Sequence, residues 1–387
     1  MKKTMVVLII LVLLAITGMI GYKMMIDKEP VNEERITDNQ KKASDKKQIK
    51  LENTEGLYIV PTMRDALYAD TVWCGTFQLV WNDMKNEVVK KDIVFDPQLE
   101  VADNLNLEEF NTNMISEEYY YKKYGLKTLE LKAEIEKGIS DKFNETSDIL
   151  EDFDWTEDGL NDPNNPDMQR YFFYVMLRRS FEFLNEFDEL EKGTFGNKYN
   201  DIEYFGVDEK SDKKLGEQID VLYYNSENDF AVILNTKQGD EVIFVKAPKG
   251  DDFREIYDNM IEEGDNYKGN TGFFTTDEIK IPKIKLNEKK EYEELAGKPF
   301  ATNDPLHPVA IIVKAIQTIQ FELNAKGGEI KSEAAIDMVK ATGMLEELPE
   351  PEPRYFYVDD TFAIFLREKG KDMPYFAGII TDITKFQ

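Results

Sequence analysis

Apolar residues recur at helical spacing in the first half of the chain and at strand spacing in the second. Over residues 74–91 they fall at Phe77, Leu79, Val80, Met84, Val88 and Val89, and the run 71–81 reads as a buried apolar helix. Residues 126–143 form an amphipathic helix with interleaved charges. After the turn-rich stretch 161–167, residues 170–178 (Arg-Tyr-Phe-Phe-Tyr-Val-Met-Leu-Arg) read as a strand central to a sheet. Residues 220–234 have the pattern strand, turn, strand, and 241–248 add another strand. Residues 251–263 look helical, 278–286 extended, and 309–323 an apolar strand; 362–368 and 375–380 make a closing hairpin. Helices come first and strands later without βαβ alternation, which predicts an α+β fold.

The glycine pair Gly327-Gly328 follows the 309–323 strand and opens a long polar loop that ends in Pro-Glu-Pro-Glu-Pro at 349–353. Long loops inside compact domains are usually functional or disordered. From Gly328 onward the loop alternates. Gly328, Ile330, Ser332, Ala334, Ile336 and Met338 fall on one side, and Glu329, Lys331, Glu333, Ala335, Asp337 and Val339 on the other. Small or apolar residues against mostly charged ones at period two describe a half-buried strand. The same residues also support a helix over 333–341, capped by Ser332 and followed by Gly343. Both readings stay open.

The composition restricts function more than fold. At 42% hydrophobic and 12% aromatic, the 387 residues can build a substantial core. The net charge of −28, from 48 basic and 76 acidic residues, argues against nucleic acid, where phosphates need Lys/Arg surfaces. Residues 1–4 carry two lysines, and 5–22 are almost wholly apolar, with no small-x-small cleavage site after them. This pattern predicts an uncleaved signal anchor with the N-terminus inside, a polar tether over 23–55, and a single domain over 56–387 outside the cell membrane. If the signal were cleaved, the body would be secreted. Cys74 is the only cysteine and reads as a packed thiol. Absence of disulfides in an exported body fits a bacterial cell-surface protein.

The inventory of catalytic side chains is thin. His307 is the only histidine, lies between Pro305 and Pro308, and reads as a surface residue. No Gly-x-Ser-x-Gly elbow or phosphate-binding glycine loop occurs. One Cys and one His fall short of the Cys/His sets that structural zinc sites use. Asp154 to Gly159 has oxygen ligands at calcium-loop spacing, but its twelfth position is Asn165 where a bidentate Glu is needed. No enzyme, metal or cofactor is expected.

Five pieces, in order over about 57–387, resemble the serpins. Tyr357-Val-Asp-Asp-Thr-Phe-Ala-Ile-Phe-Leu366 is similar to the family's aromatic-x-Asp-x-Pro-Phe segment, and Phe376-Ala-Gly378 to its final Phe-x-Gly. Residues 278–300, with Ile281-Pro-Lys-Ile-Lys285, resemble the Leu-Pro-Lys-Phe strand and the helix after it. Residues 324–335 sit where the family has the hinge of its reactive-centre loop, and 171–187 resemble its central strand. The resemblance implies helices of the first half packed on a large mixed or antiparallel sheet, further β-sheets and a long exposed loop. It implies a monomer with a target protease as partner, whose cleavage of the loop forms an acyl-enzyme and lets the loop insert into the sheet.

The chain also departs from the family. Thr361 replaces a proline, Phe181 stands where a tryptophan is usual, and Gly328 where Thr or Ser is usual. The implied hinge is Gly327, Gly328, Glu329, Ile330, Ser332, Ala334 and Ala335. Fourteen residues on from Gly327, the implied bait bond lies among Lys340, Ala341 and Thr342. Lys340–Ala341 suits a trypsin-like protease and Ala341–Thr342 an elastase-like one. Ile330 adds bulk at an inward position and favours the alternative, a non-inhibitory scaffold or partner-binding protein.

Overall fold

The computed structural model describes residues 53–147, 149–165, 167–328 and 352–387. Strands β1 (Leu57–Val60) and β2 (Asp70–Cys74) are followed by helices α1 (Thr76–Asp83) and α2 (Glu100–Asn106), strand β3 (Tyr120–Leu126) and helix α3 (Leu129–Phe143). Next come β4 (Tyr171–Leu177), β5 (Phe181–Glu182), β6 (Asp188–Phe195), β7 (Tyr199–Val207), β8 (Ile219–Ser226), β9 (Asp229–Asn235) and β10 (Asp240–Lys246). Helix α4 (Phe253–Asn266) precedes β11 (Glu278–Pro282), β12 (Ile284–Glu291), β13 (Pro299–Ala301), β14 (Val309–Ile311), β15 (Ile316–Asn324) and β16 (Gly327–Gly328). The chain closes with β17 (Tyr355–Tyr357), β18 (Phe362–Glu368) and β19 (Phe376–Ile380).

The fold is α+β and serpin-like in the order of its pieces. The largest sheet runs β1-β2-β19-β18-β10-β9-β8, and a second runs β17-β11-β7-β6. A third has the order β12-β15-β16-β5. The closing hairpin pairs as the alternation predicts, Phe362 opposite Ile380 and Leu366 opposite Phe376. All seven residues of β10 are buried, because this strand lies inside the large sheet with both faces covered. Helix α4 covers part of that sheet, its Phe253 and Tyr257 rings meeting Phe365 edge-on. Helix α3 starts at Thr128, whose hydroxyl caps the Leu131 amide, and ends at Asn144 in the left-handed conformation. Its buried Leu131, Ile135 and Ile139 pack with Phe172 and Tyr174 of β4.

Several expectations need correction. Residues 70–74 form a strand inside the large sheet, and the helix begins only at Thr76, continuing as a wider π-type turn over Met84–Val89. A five-residue run buried on both faces has no periodicity to separate strand from helix. The apolar run 309–323 is two strands, β14 and β15, separated by four residues. The helix expected within 278–300 is a single short turn at Glu293–Leu295. Residues 171–177 are a strand, but among the described residues β4 pairs with β3 alone and is not central in a large sheet.

The expected cell-membrane location is also corrected. No helix among the described residues is long and apolar enough to cross a membrane. The segment 5–22 and the tether 23–55, apart from residues 53–55, lie outside the described residues.

Candidate functional site

Two strand edges face each other across an open cleft. Among the described strands, β4 pairs with β3. Strand β15 pairs along its length with β12, and on its other side Leu323 and Asn324 pair with Gly328 and Gly327 of β16. Among the described residues, the second edge of β4 and the edge of β15 below Leu323 have no strand partner. Both strands line one cavity of about 1420 Å³, to which α1 contributes Phe77, Val80 and Trp81, and the β13–β14 hairpin Val309 to Ile311. Backbone groups along a strand edge need partners, so such an edge is a template for another strand.

The cleft is closed at one end by β16. Gly328 pairs with Phe181 and Gly327 with Glu182 of β5, so two residues already sit between β5 and β15 as an antiparallel strand. The Phe183 amide donates to the Lys326 carbonyl and the Phe187 amide to the Ala325 carbonyl, both at 2.9 Å. These bonds fix the turn that leads into β16. Glycine is demanded twice here. Gly327 has φ +143° and lies against the Phe181 carbonyl, and a Cβ on Gly328 would come within 2.5 Å of the Phe181 ring. The small residue at 328 and the Phe at 181, noted separately as departures from the serpin pattern, are therefore one packing solution.

Next to this closure lies a buried charge cluster. Arg179, in the joint between β4 and β5, is 3% exposed. Its Nη1 is 3.1 Å from Glu368 Oε2, its Nε faces Asp240 Oδ1, and its guanidinium lies 3.6 Å from the Tyr119 ring centre. The Tyr375 hydroxyl donates to Asp240 Oδ1 at 2.8 Å. Glu368 accepts from the Ser116 amide at 2.9 Å and from its hydroxyl. Burial pushes the Asp240 carboxyl up, against the pull of Arg179. Burial acts the same way on Glu368, but the two Ser116 hydrogen bonds and Arg179 outweigh it and hold that carboxyl below its ordinary value.

On the far side of 329–351 the chain returns at Arg354, which is anchored to the β11 end of the second sheet. Its amide donates to Asp277 Oδ1 at 2.9 Å, Nη2 lies 2.6 Å from Asp277 Oδ2, and Nη1 donates to the Asn270 carbonyl at 2.8 Å. The guanidinium lies 4.5 Å from the Phe274 ring centre.

Of the residues singled out in the sequence, Gly327 and Gly328 stand at the head of the cleft. Glu329, Ile330, Ser332, Ala334, Ala335, Lys340, Ala341 and Thr342 lie outside the described residues. Cys74 is buried beside the same cavity, and burial pushes its thiol up. His307 is half-buried rather than a plain surface residue, with Nδ1 2.8 Å from Asp304 Oδ2. Asp154 Oδ1 accepts from the Thr156 amide and hydroxyl, closing a local turn. Sequence reasoning missed Arg179, Asp240, Glu368 and Arg354. The one available signal was a pair of arginines, Arg178-Arg179, directly after a near-continuous apolar strand, where a buried charge needs a partner.

No protein-family model matches the chain, and no curated protein matches its sequence. Among solved structures the chain is similar to Serpin48, described as a highly specific serpin, of the insect Tenebrio molitor. The two are 14% identical, the match covers 82% of this chain and 92% of that one, and the TM-score is 0.42. The mouse protein-Z dependent protease inhibitor is 13% identical over 82% of this chain and 92% of its own, with a TM-score of 0.46. Thyroxine-binding globulin in complex with thyroxine is 11% identical over 81% and 93%, with a TM-score of 0.43.

Proposed function

We propose that this serpin-like body is a protease inhibitor that works by loop cleavage and strand insertion, with a target protease as its partner. The observation that carries the reading is β16. Two residues leading into the loop already pair between β5 and β15, at the head of a cleft whose two edges offer further pairing. A strand continuing from Gly328 would run on in the same register. The alternation at 328–338 supplies Ile330, Ala334, Ile336 and Met338 on one side. Each sizeable apolar side chain contributes ~1.5–3 kcal/mol when fully buried. Ordering the segment costs about 1–2 kcal/mol per residue, which the new ladder bonds and packing have to exceed. Lys340, Ala341 and Thr342 are the proposed bait, read by a trypsin-like or an elastase-like protease according to which bond is cut.

The test is a cut followed by a melt. Limited proteolysis between 338 and 342 should raise the melting temperature well above that of the intact chain. Ser332→Arg should abolish the rise, because an inward charge would be buried without a partner. A cut protein that melts where the intact one does sinks the inhibitor reading, and the partner-binding scaffold stands in its place.

A further inference from the structure

We infer that the outer face of the β13–β14 hairpin is a contact surface for a second copy of this chain, packed about a twofold axis that runs along the strands. An antiparallel pair packed on a core normally shows a polar face to water. This hairpin is apolar on both faces. Its inner residues Phe300, Ala310 and Ile312 join the core cluster of Phe77 and Trp81. Its outer residues are Ala301 and Pro299 on β13, opposite Val309 and Ile311 on β14. Val309, Ile311 and the next outward residue, Val313, are 60%, 54% and 75% exposed. On the other side of β13, Phe95 bridges Phe300 and sets the exposed Val94 beside Ala301. Apolar side chains grouped this way on a surface mark an interaction site.

The relief of this face fits its own copy. Val309, Ile311 and Val313, all β-branched, form a ridge. Beside it, roughly 4.8 Å away, Ala301 and Pro299 form a shallow row. Past Pro299 the row continues to Gly297, which has open space where a side chain would stand and whose amide donates to the Ile312 carbonyl at 2.9 Å. A twofold axis along the strands, midway between ridge and row, lays the ridge of each copy on the row of the other. Val309 then meets Ala301 of the partner subunit and Ile311 meets Pro299 of the partner subunit, an isologous contact. A twofold axis across the strands would instead set ridge on ridge and hold the copies apart. The exposed apolar side chains come to roughly 500 Å² per copy, the size of a large patch on a monomer. Two copies would bury about 1,000 Å², the lower bound of a specific interface, which predicts a reversible dimer. The monomer implied by the serpin resemblance is thus the dissociated form. The charge of −28 on each chain opposes approach at long range, so the contact has to be apolar and close.

Sedimentation velocity on the full-length chain over a range of concentrations tests this. The parent should pass reversibly from monomer to dimer, and the dimer should strengthen as added salt screens the repulsion. Ile311→Lys and Pro299→Asp each bury a charge against an apolar partner and should raise the dissociation constant at least tenfold. Their urea midpoints should stay near that of the parent, because both side chains are exposed. Mixed in equal amounts, the two variants should dimerise again, since the register sets the new ammonium against the new carboxylate. Tyr68→Lys, at an exposed aromatic elsewhere, should leave the dissociation constant within twofold. A parent chain that stays monomeric overturns the inference, and so does association that weakens with salt. Association that survives Ile311→Lys, as it would if residues 5–22 carried it, overturns it too. A mixture that remains monomeric overturns the twofold arrangement on which the contact rests.

Discussion

Phe181 and Gly328 compete for one volume, and only the absence of a side chain at 328 lets the ring fill it. The ring cannot easily retreat, since Phe181 is itself buried and packs edge-on with Phe183. Gly328→Ala should therefore cost about 1–3 kcal/mol in urea unfolding, as overpacking does. Phe181→Leu in the same chain should return part of that loss, a non-additivity that two independent sites would not show. Ser116 offers a second residue-scale test, through pH. The Glu368 carboxyl is held below its ordinary 4.5, so its contribution to stability is present above that pH and is lost as pH falls through the lower, folded value. Ser116→Ala removes a hydrogen bond to a charged acceptor, of the order of 1.5–3 kcal/mol. The stability gap between parent and Ser116→Ala should be widest near pH 7 and close as the pH falls below 4.5; a gap that stays constant contradicts this account.

At the scale of elements, β17 is anchored by a side chain at its start. The strand has three residues and, among the described strands, pairs with β11; its Phe356 packs on Tyr224 and Phe230, and Arg354 on Asp277 anchors the point where the loop returns. Asp277 is fully buried, and breaking such a pair typically costs ~3–5 kcal/mol because a charge is stranded. Arg354→Met should lower stability by that order and speed amide exchange first in 355–357 and 278–280. Equal effects across the seven-stranded sheet would mean that β17 is not a separate unit. Elements with a clear period were legible beforehand. The hairpin β18–β19, strands β9 and β10 and most of α3 lie close to where alternation or helical spacing puts them. Of the misread ones, β2 is a short apolar run whose burial on both faces erases the period, whereas β14 and the residues after it are apolar yet exposed, so hydrophobicity gave no sign of the break before β15.

At the scale of the whole molecule, a cut in the loop should not release the C-terminal piece. Strands β18 and β19 lie inside the seven-stranded sheet, between β10 and β2, while β17 adds an edge to the second sheet. A chain cut near 342 should run as one species in native gel filtration and separate into two only in denaturant. Early loss of the small fragment would mean that the sheet does not hold it.

The sequence by itself determined the α+β class, the hairpins, the glycine pair opening a long loop and the resemblance to serpins. Each of these rests on local period or on residue types that a turn requires. Tertiary structure alone decided that β4 stands apart from β15, that Phe181 lies on Gly328, and that Arg179 meets Asp240, Glu368 and Tyr119. Those depend on which edges and charges meet across 60 to 190 residues of chain. No local pattern encodes such a meeting, because burial in a shared core, not spacing along the chain, selects the partners.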